Sequence, residues 1–365
     1  MIFSEKDRLT FSPFFPDKGS RAYFMAGPCS AESEEQMLET ARHLAQTGID
    51  LFRAGVWKPR TQPNSFEGIG EDALKWLATV KSETGLAVST EVANASHVEL
   101  ALKYGVDVLW IGARSTVSPF TVQEIADSLA GVDIPVMIKN PINPDVKLWI
   151  GAIERIAKAN VQKIAAIHRG FSSFGPGHFR NQPRWQIAIE LKRLFPDLTL
   201  ICDSSHISGR RDLLEEVAQK ALDLNYDGIM LEVHPNPDQA LSDPQQQITP
   251  EEFRAIKSRL IFRPADSENP HFKQSLESLR RQMDEIDEEI LSLLARRMGL
   301  ADEIGLCKKE NNISILQTRR WSEILERNME QGLAMGLNPE FITNISKAVH
   351  QESINRQHEV MRKPD

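Results

Sequence analysis

Residues 198–233 read LTLICDSSHISGRRDLLEEVAQKALDLNYDGIMLEV: a short apolar run (Leu198–Cys202), a helix-length connection and a second apolar run (Gly228–Val233). Runs of this size suit parallel strands buried on both faces, with a helix returning the chain between them. The pattern recurs upstream in Ala22–Ala26, Ile49–Arg53, Leu86–Ser89, Val106–Ile111, Pro135–Ile138 and Lys163–Ile167. Eight such runs within about 250 residues match the count and size of a closed (β/α)8 barrel. A doubly wound open sheet would more often carry a glycine-rich turn after its first strand, and only Gly27-Pro28 stands there.

The last barrel helix is marked by Thr249 as cap, Pro250 in the first turn and Glu252 to complete a capping box. Beyond it, Arg263-Pro-Ala-Asp-Ser-Glu-Asn-Pro270 reads as a linker. The hydrophobic period then changes. Phe272, Leu276, Leu279, Met283, Ile286, Ile290 and Leu293 are spaced alternately four and three apart, and the seam runs on through Leu300, Ile304 and Cys307. A helix over 272–308 is about 54 Å long, so it must pack against other helices or a second chain. Two further helices are expected near 318–335 and 340–360. The expected organisation is an α/β barrel over 1–262, a linker over 263–271 and an all-α three-helix module over 272–365.

With 41% hydrophobic and 26% charged residues among 365, the chain can bury a sizeable core. A net charge of −8 argues against nucleic acid and anionic membranes as partners. Three scattered cysteines and no membrane-length apolar stretch suit a cytoplasmic enzyme of small-molecule substrates.

Barrel enzymes place their chemistry at the C-terminal strand ends. Those ends carry Cys29, Arg53, Glu91, Arg114, Lys139, Arg169, Asp203 with His206, and Glu232. One arginine at a strand end is ordinarily a solvated loop residue; eight polar endings together on an acidic chain need another account. Arg53, Lys58, Arg60, Arg114, Lys139 and Arg169 would converge on one mouth, without six acidic partners in the same loops. Such a mouth suits multiply charged anions. Cys29, His206, Glu232 and Asp243 offer thiolate, imidazole and two carboxylates, a set suited to a divalent transition metal.

The segments Gly27-Pro-Cys-Ser30, Arg53-Ala-Gly-Val-Trp-Lys-Pro-Arg-Thr61, Ile111-Gly-Ala-Arg114, Ile138-Lys139, His168-Arg-Gly170, Asp203-Ser-Ser-His206, Glu232-Val-His-Pro235 and Ser242-Asp243 resemble the 3-deoxy-D-arabino-heptulosonate 7-phosphate (DAHP) synthases of the short microbial type. The resemblance implies a divalent metal, manganese foremost, on Cys29, His206, Glu232 and Asp243. It implies that Arg53, Lys58, Arg114, Lys139 and Arg169 hold phosphoenolpyruvate, and that Arg60, Thr61 and Asp243 serve erythrose 4-phosphate. Lys58 and Glu91 are the candidates for proton transfer. The sister synthases that use arabinose 5-phosphate are the competing reading, and Pro59-Arg60 stands where they carry Asn-Arg. A non-catalytic binding barrel is the other.

In the helical part, Arg297 interrupts the apolar seam with no acidic residue one turn away, so a bound carboxylate is a reasonable partner. Ser353 and Gln357 lie one turn apart on the stripe continued from Ile342, Ser346 and Val349. Residues 272–361 resemble the all-helical chorismate mutases. The resemblance implies chorismate contacts from Arg280, Arg297, Lys308, Arg320, Ser353 and Gln357, with Lys308 and Gln357 catalytic and no cofactor. It also implies a homodimer through the long helices, each Arg280 entering its partner's site, with a higher oligomer left open. Gln317 and Trp321 replace acids that commonly bind the substrate hydroxyl, so a chorismate or prephenate sensor remains the alternative. Feedback on the barrel through this module is the expected reason for the fusion.

Overall fold

The computed structural model describes residues 9–16, 21–59, 65–173, 177–264 and 266–363. The chain divides into two compact units, Met1–Ala265 and Asp266–Asp365.

The first unit is a closed, all-parallel barrel of β1 (Tyr23–Gly27), β2 (Leu51–Arg53), β3 (Val88–Val92), β4 (Val108–Ile111), β5 (Val136–Lys139), β6 (Ile164–His168), β7 (Thr199–Asp203) and β8 (Gly228–Glu232). β1 closes on β8 along its whole length, Tyr23 opposite Gly228 and Gly27 opposite Glu232. Several strands run one residue or more past their expected ends. The extra residues include Lys139, His168, Asp203 and Glu91, polar groups that keep their ladder pairing. Reading apolar runs stops a strand where its chemistry begins.

Two apolar layers hold the barrel. The larger joins outward strand residues to the surrounding helices, as Val146–Lys158 does with Trp149, Ile150, Ile153 and Ile156 buried on one face. The smaller fills the barrel interior with Met25, Leu51, Val108, Trp110, Met137, Ile167, Ile201 and Met230, and Phe14 joins it. Strand side chains alternate, so the residue two positions on points inward as well. Leu51 is followed in this way by Arg53, Met137 by Lys139, Ile167 by Arg169, Ile201 by Asp203 and Met230 by Glu232. The apolar plug therefore ends in a polar layer one pleat higher. The closing helix Pro250–Arg259 has both halves of the Thr249–Glu252 capping box.

The second unit is three helices, Pro270–Glu310, Thr318–Ala334 and Pro339–Arg362. The first has 41 residues and is about 62 Å long. It buries only Ala301 and Gly305. Gly305 lets the last helix cross closely: a Cβ there would come within 3.1 Å of the Gln357 Cα, a tight contact. The seam residues Leu279, Met283, Ile286, Ile290 and Leu293 are exposed in the single chain, Ile286 at 56%. No described helix is long and apolar enough to cross a membrane.

Candidate functional site

The polar layer of the barrel is a web of short contacts. Arg53, fully buried, donates through Nη1 to Glu232 Oε1 at 2.6 Å and through Nη2 to the Cys29 carbonyl at 3.1 Å. Lys139 Nζ donates to Asp203 Oδ2 at 2.8 Å. Lys58 Nζ lies 3.0 Å from Cys29 Sγ and 3.2 Å from the Cys29 carbonyl. Two of the cations, Arg53 and Lys139, thus pair with carboxylates, and these come from other strands and not from their own loops. β7 and β8 supply them across the barrel, which local sequence does not reveal. The Trp110 ring lies beneath Arg53 and Lys139, 4.9 and 5.8 Å from their charges, and its Nε1 donates to Glu91 Oε2 at 2.9 Å. Gly112 makes room for that carboxylate, since a Cβ there would fall 2.1 Å from Glu91 Oε1.

Above the web lies a cavity of about 270 Å³, lined by Lys58, Pro59, Ser65, Glu91, Ala113, Arg114, Lys139, Arg169, Arg180, His206 and Asp243. Five of these side chains are basic and two are carboxylates. Burial lowers the Arg169 pKa to about 10, still charged at neutral pH, and Arg169 Nη1 donates to Asn181 Oδ1 at 2.8 Å.

Cys29, Glu232 and Asp243 bring one donor atom each within 4.8 Å of one another. Cys29 Sγ is 3.5 Å from Asp243 Oδ2, and Asp243 holds a left-handed backbone (φ 46°), strain of the kind kept at functional sites. His206 stands beside them with Nδ1 3.8 Å from Glu232 Oε1, while the same nitrogen is 2.8 Å from Asp203 Oδ2. With Nδ1 oriented by a carboxylate, Nε2 is the nitrogen left to ligate. Burial, and then the Glu232 charge, push the Cys29 thiol up to about 12. Burial would raise Glu232 too, but His206 and Arg53 outweigh it and hold the group at about 2. A divalent cation would favour the thiolate, so this mixed donor set fits a transition metal.

The helical unit has its own cavity, about 590 Å³, between all three helices. Arg297, Lys308, Arg320 and Arg327 line it, and among the described residues no aspartate or glutamate does. Arg297 Nη1 bonds Ser353 Oγ, and Lys308 Nζ donates to Gln357 Oε1 at 3.1 Å and to the Ile315 carbonyl at 2.6 Å.

Residues 13–261 match the family described as DAHP synthetase I, and residues 279–358 match chorismate mutase type II. The chain belongs to the DAHP synthetase I family. Its C-terminal unit is a type II chorismate mutase domain. Among relatives of this DAHP synthetase barrel, phospho-2-dehydro-3-deoxyheptonate aldolase of Thermotoga maritima is 34% identical over 241 residues, 66% of this chain and 69% of that protein. The crystal structure under that name is 30% identical with a TM-score of 0.59, covering 66% of this chain and 68% of that one. A 2-dehydro-3-deoxyphosphooctonate aldolase of Caulobacter vibrioides is 26% identical over 271 residues, 69% of this chain and 91% of that protein.

Of the residues expected at the DAHP synthetase site, the cavity and the web beneath it gather Cys29, Arg53, Lys58, Glu91, Arg114, Lys139, Arg169, His206, Glu232 and Asp243. Arg60 and Thr61 lie outside the described residues. In the mutase unit Arg297, Lys308, Arg320, Ser353 and Gln357 share one cavity, whereas Arg280 lies on the exposed part of the long helix and does not line it. Sequence reading missed Arg180, whose Nη1 bonds Gln246 Oε1 at 2.6 Å and pairs with Asp243 at 3.1 Å. It comes from the long connection after β6, at no strand end and in no motif. The i, i+3 spacing of Asp203 and His206 could have exposed their contact.

Proposed function

We propose that the barrel condenses phosphoenolpyruvate with erythrose 4-phosphate to DAHP and phosphate, and that the helical unit rearranges chorismate to prephenate. The observation that carries the first reading is a cavity with five basic side chains directly above a Cys–Glu–Asp donor cluster. One divalent metal, manganese foremost, held by Cys29, His206, Glu232 and Asp243, would supply Lewis acidity toward the aldehyde oxygen. Arg114, Lys139 and Arg169, with Arg53 and Lys58 at the floor, hold the carboxylate and phosphate of phosphoenolpyruvate. Arg60 and Thr61 hold the phosphate of the sugar, with Asp243 near its aldehyde end. C3 of phosphoenolpyruvate forms a bond to the aldehyde carbon, and Lys58 gives its proton to the new hydroxyl. Glu91, fixed by Trp110, takes a proton from the water that adds at C2, and phosphate then leaves.

In the mutase unit Arg297 and the Arg280 of a second chain meet the carboxylates, Arg320 adds to the chorismate contacts, Ser353 fixes Arg297, and Lys308 and Gln357 face the ether oxygen. Gln357 accepts from Lys308 through Oε1, so its amide N–H₂ remains to donate. Catalysis is by positioning and charge stabilisation, without a cofactor. The exposed apolar seam supports a homodimer through the long helices, with Arg280 of each chain serving its partner's cavity. Steady-state assays of the full chain test both activities. Erythrose 4-phosphate should exceed arabinose 5-phosphate in kcat/KM and chorismate should yield prephenate; comparable sugars or no prephenate would overturn the respective reading.

Feedback completes the proposal: chorismate or prephenate in the helical cavity slows the barrel, through a coupling of about 1–3 kcal/mol. Prephenate should inhibit condensation in the full chain and not in a chain ending at Phe262. Equal rates in both, with and without prephenate, would leave a fusion that only ties expression together.

A further inference from the structure

The helical cavity contains a pair of rings that none of these roles uses. Trp321 on the second helix and His350 on the last stack with centroids 4.0 Å apart and planes 19° from parallel, and both line the cavity. His350 precedes Ser353 by three residues and Gln357 by seven, so its ring lies on their stripe.

Three of the cavity's acceptors are engaged, which leaves the amide oxygens of Gln317 and Asn328 as the imidazole's competitors in the lining. Ser353 Oγ is bonded by Arg297, Gln357 Oε1 by Lys308, and Ser346 Oγ accepts from Asn328 Nδ2 at 3.1 Å. The His350 ring has no hydrogen bond among the described residues. Burial, then the charges of Arg297 and Lys308, lower its pKa, so at neutral pH the imidazole is uncharged and keeps an acceptor nitrogen. The substrate assigned above carries two carboxylates, an ether oxygen and a ring hydroxyl. The cations and Gln357 serve the first three. A hydroxyl must donate to an acceptor, and no carboxylate lines this cavity to receive it.

We propose that His350, held in its plane by Trp321, accepts the hydrogen bond of the substrate's ring hydroxyl and thereby selects hydroxylated cyclohexadiene dicarboxylates. The assignment rests on the reading of this unit as a working mutase. The stack fixes the imidazole between two helices, so its acceptor nitrogen is presented without further ordering of the side chain on binding.

The test compares chorismate with 4-deoxychorismate in the full chain. His350→Phe preserves a stacking ring and removes the acceptor; Asn328→Ala and Gln317→Ala each remove a competing amide oxygen of the lining. His350→Phe should lower kcat/KM for chorismate about tenfold and change that for 4-deoxychorismate by less than about twofold. Retained turnover of the deoxy compound also reports that the variant is folded. Equal losses on both compounds, no loss on chorismate, or a hydroxyl-specific loss in Asn328→Ala or Gln317→Ala instead would each overturn the assignment. A wild-type chain that rearranges neither compound would refute the mutase reading itself; an active wild type with an unaffected His350→Phe refutes only the role of His350.

Discussion

The barrel and the helical unit both gather cations around a cavity, in opposite ways. The barrel buries its cations and neutralises them internally: Arg53 with Glu232 and Lys139 with Asp203 are almost wholly shielded from water. Its strands close on one another and no sheet edge is left unpaired. The helical unit keeps its cations at a cavity lined by no described acid, and its longest helix leaves an apolar seam exposed in the single chain. Buried ion pairs contribute little net stability but fix geometry, because breaking one leaves an uncompensated charge. A closed strand barrel thus pairs two of its cations within one chain, whereas two helices packed on a 41-residue rod leave an apolar face exposed in the single chain.

The largest expected effect breaks the comparison at its metal-binding end. Chelation should reduce condensation below detection, added manganese should restore it, and mutase turnover in the same sample should not change. Full condensation in protein shown by elemental analysis to be metal-free would remove Cys29 and His206 from the proposed ligand set.

The next effect sharpens the helical end. Arg297→Ala and Lys308→Ala should each lower mutase turnover about 10²-fold or more while circular dichroism reports intact helices. Arg280→Ala should do the same, although it lines no cavity in its own chain. Mixing Arg280→Ala and Arg297→Ala chains after reversible dissociation should recover activity, since each hybrid pair has one site with both arginines. Absence of recovery in verified hybrids would show that the partner supplies no arginine.

Sequence made the architecture legible because burial leaves periodic marks. The eight apolar runs gave every strand to within about three residues at either end, and Thr249 with Glu252 announced a capping box that both side chains form. Arg297 was conspicuous for the same reason, a charge on an apolar stripe. Its intrachain partner, Ser353, lies 56 residues away, beyond any local rule. Non-local pairing also hides the carboxylates of the web: Glu232 is 179 residues from Arg53 and Asp203 is 64 from Lys139. Arg180 left no mark at all, because it sits in an aperiodic connection where neither burial nor spacing distinguishes a site arginine from a solvated one.

The smallest effect concerns stability and falls on the barrel alone. His168 ends β6 fully buried, with Nε2 2.6 Å from the Pro183 carbonyl and Nδ1 2.8 Å from the Tyr226 hydroxyl. The carbonyl requires N–H at Nε2, so Nδ1 accepts from Tyr226 and the neutral ring is satisfied at both nitrogens. Burial is the main reason its pKa falls from the usual 6.5 to about 4, against the opposing pull of the Pro183 carbonyl. Between those values the unfolded chain binds a proton that the folded barrel does not. Stability from this group is therefore full above pH 6.5, is lost as pH falls toward 4, and changes no further below that. The whole loss is about 3 kcal/mol, and about 2 kcal/mol of it should appear between pH 7 and pH 5. Denaturant unfolding followed by tryptophan fluorescence should show that difference in the wild type and a smaller one in His168→Gln, which cannot titrate. Carboxylates held low, such as Glu232, lose their contribution below this window, so the comparison of the two proteins isolates the imidazole. The same pH dependence in both would mean that His168 titrates normally in the folded barrel and that its two hydrogen bonds do not hold it neutral.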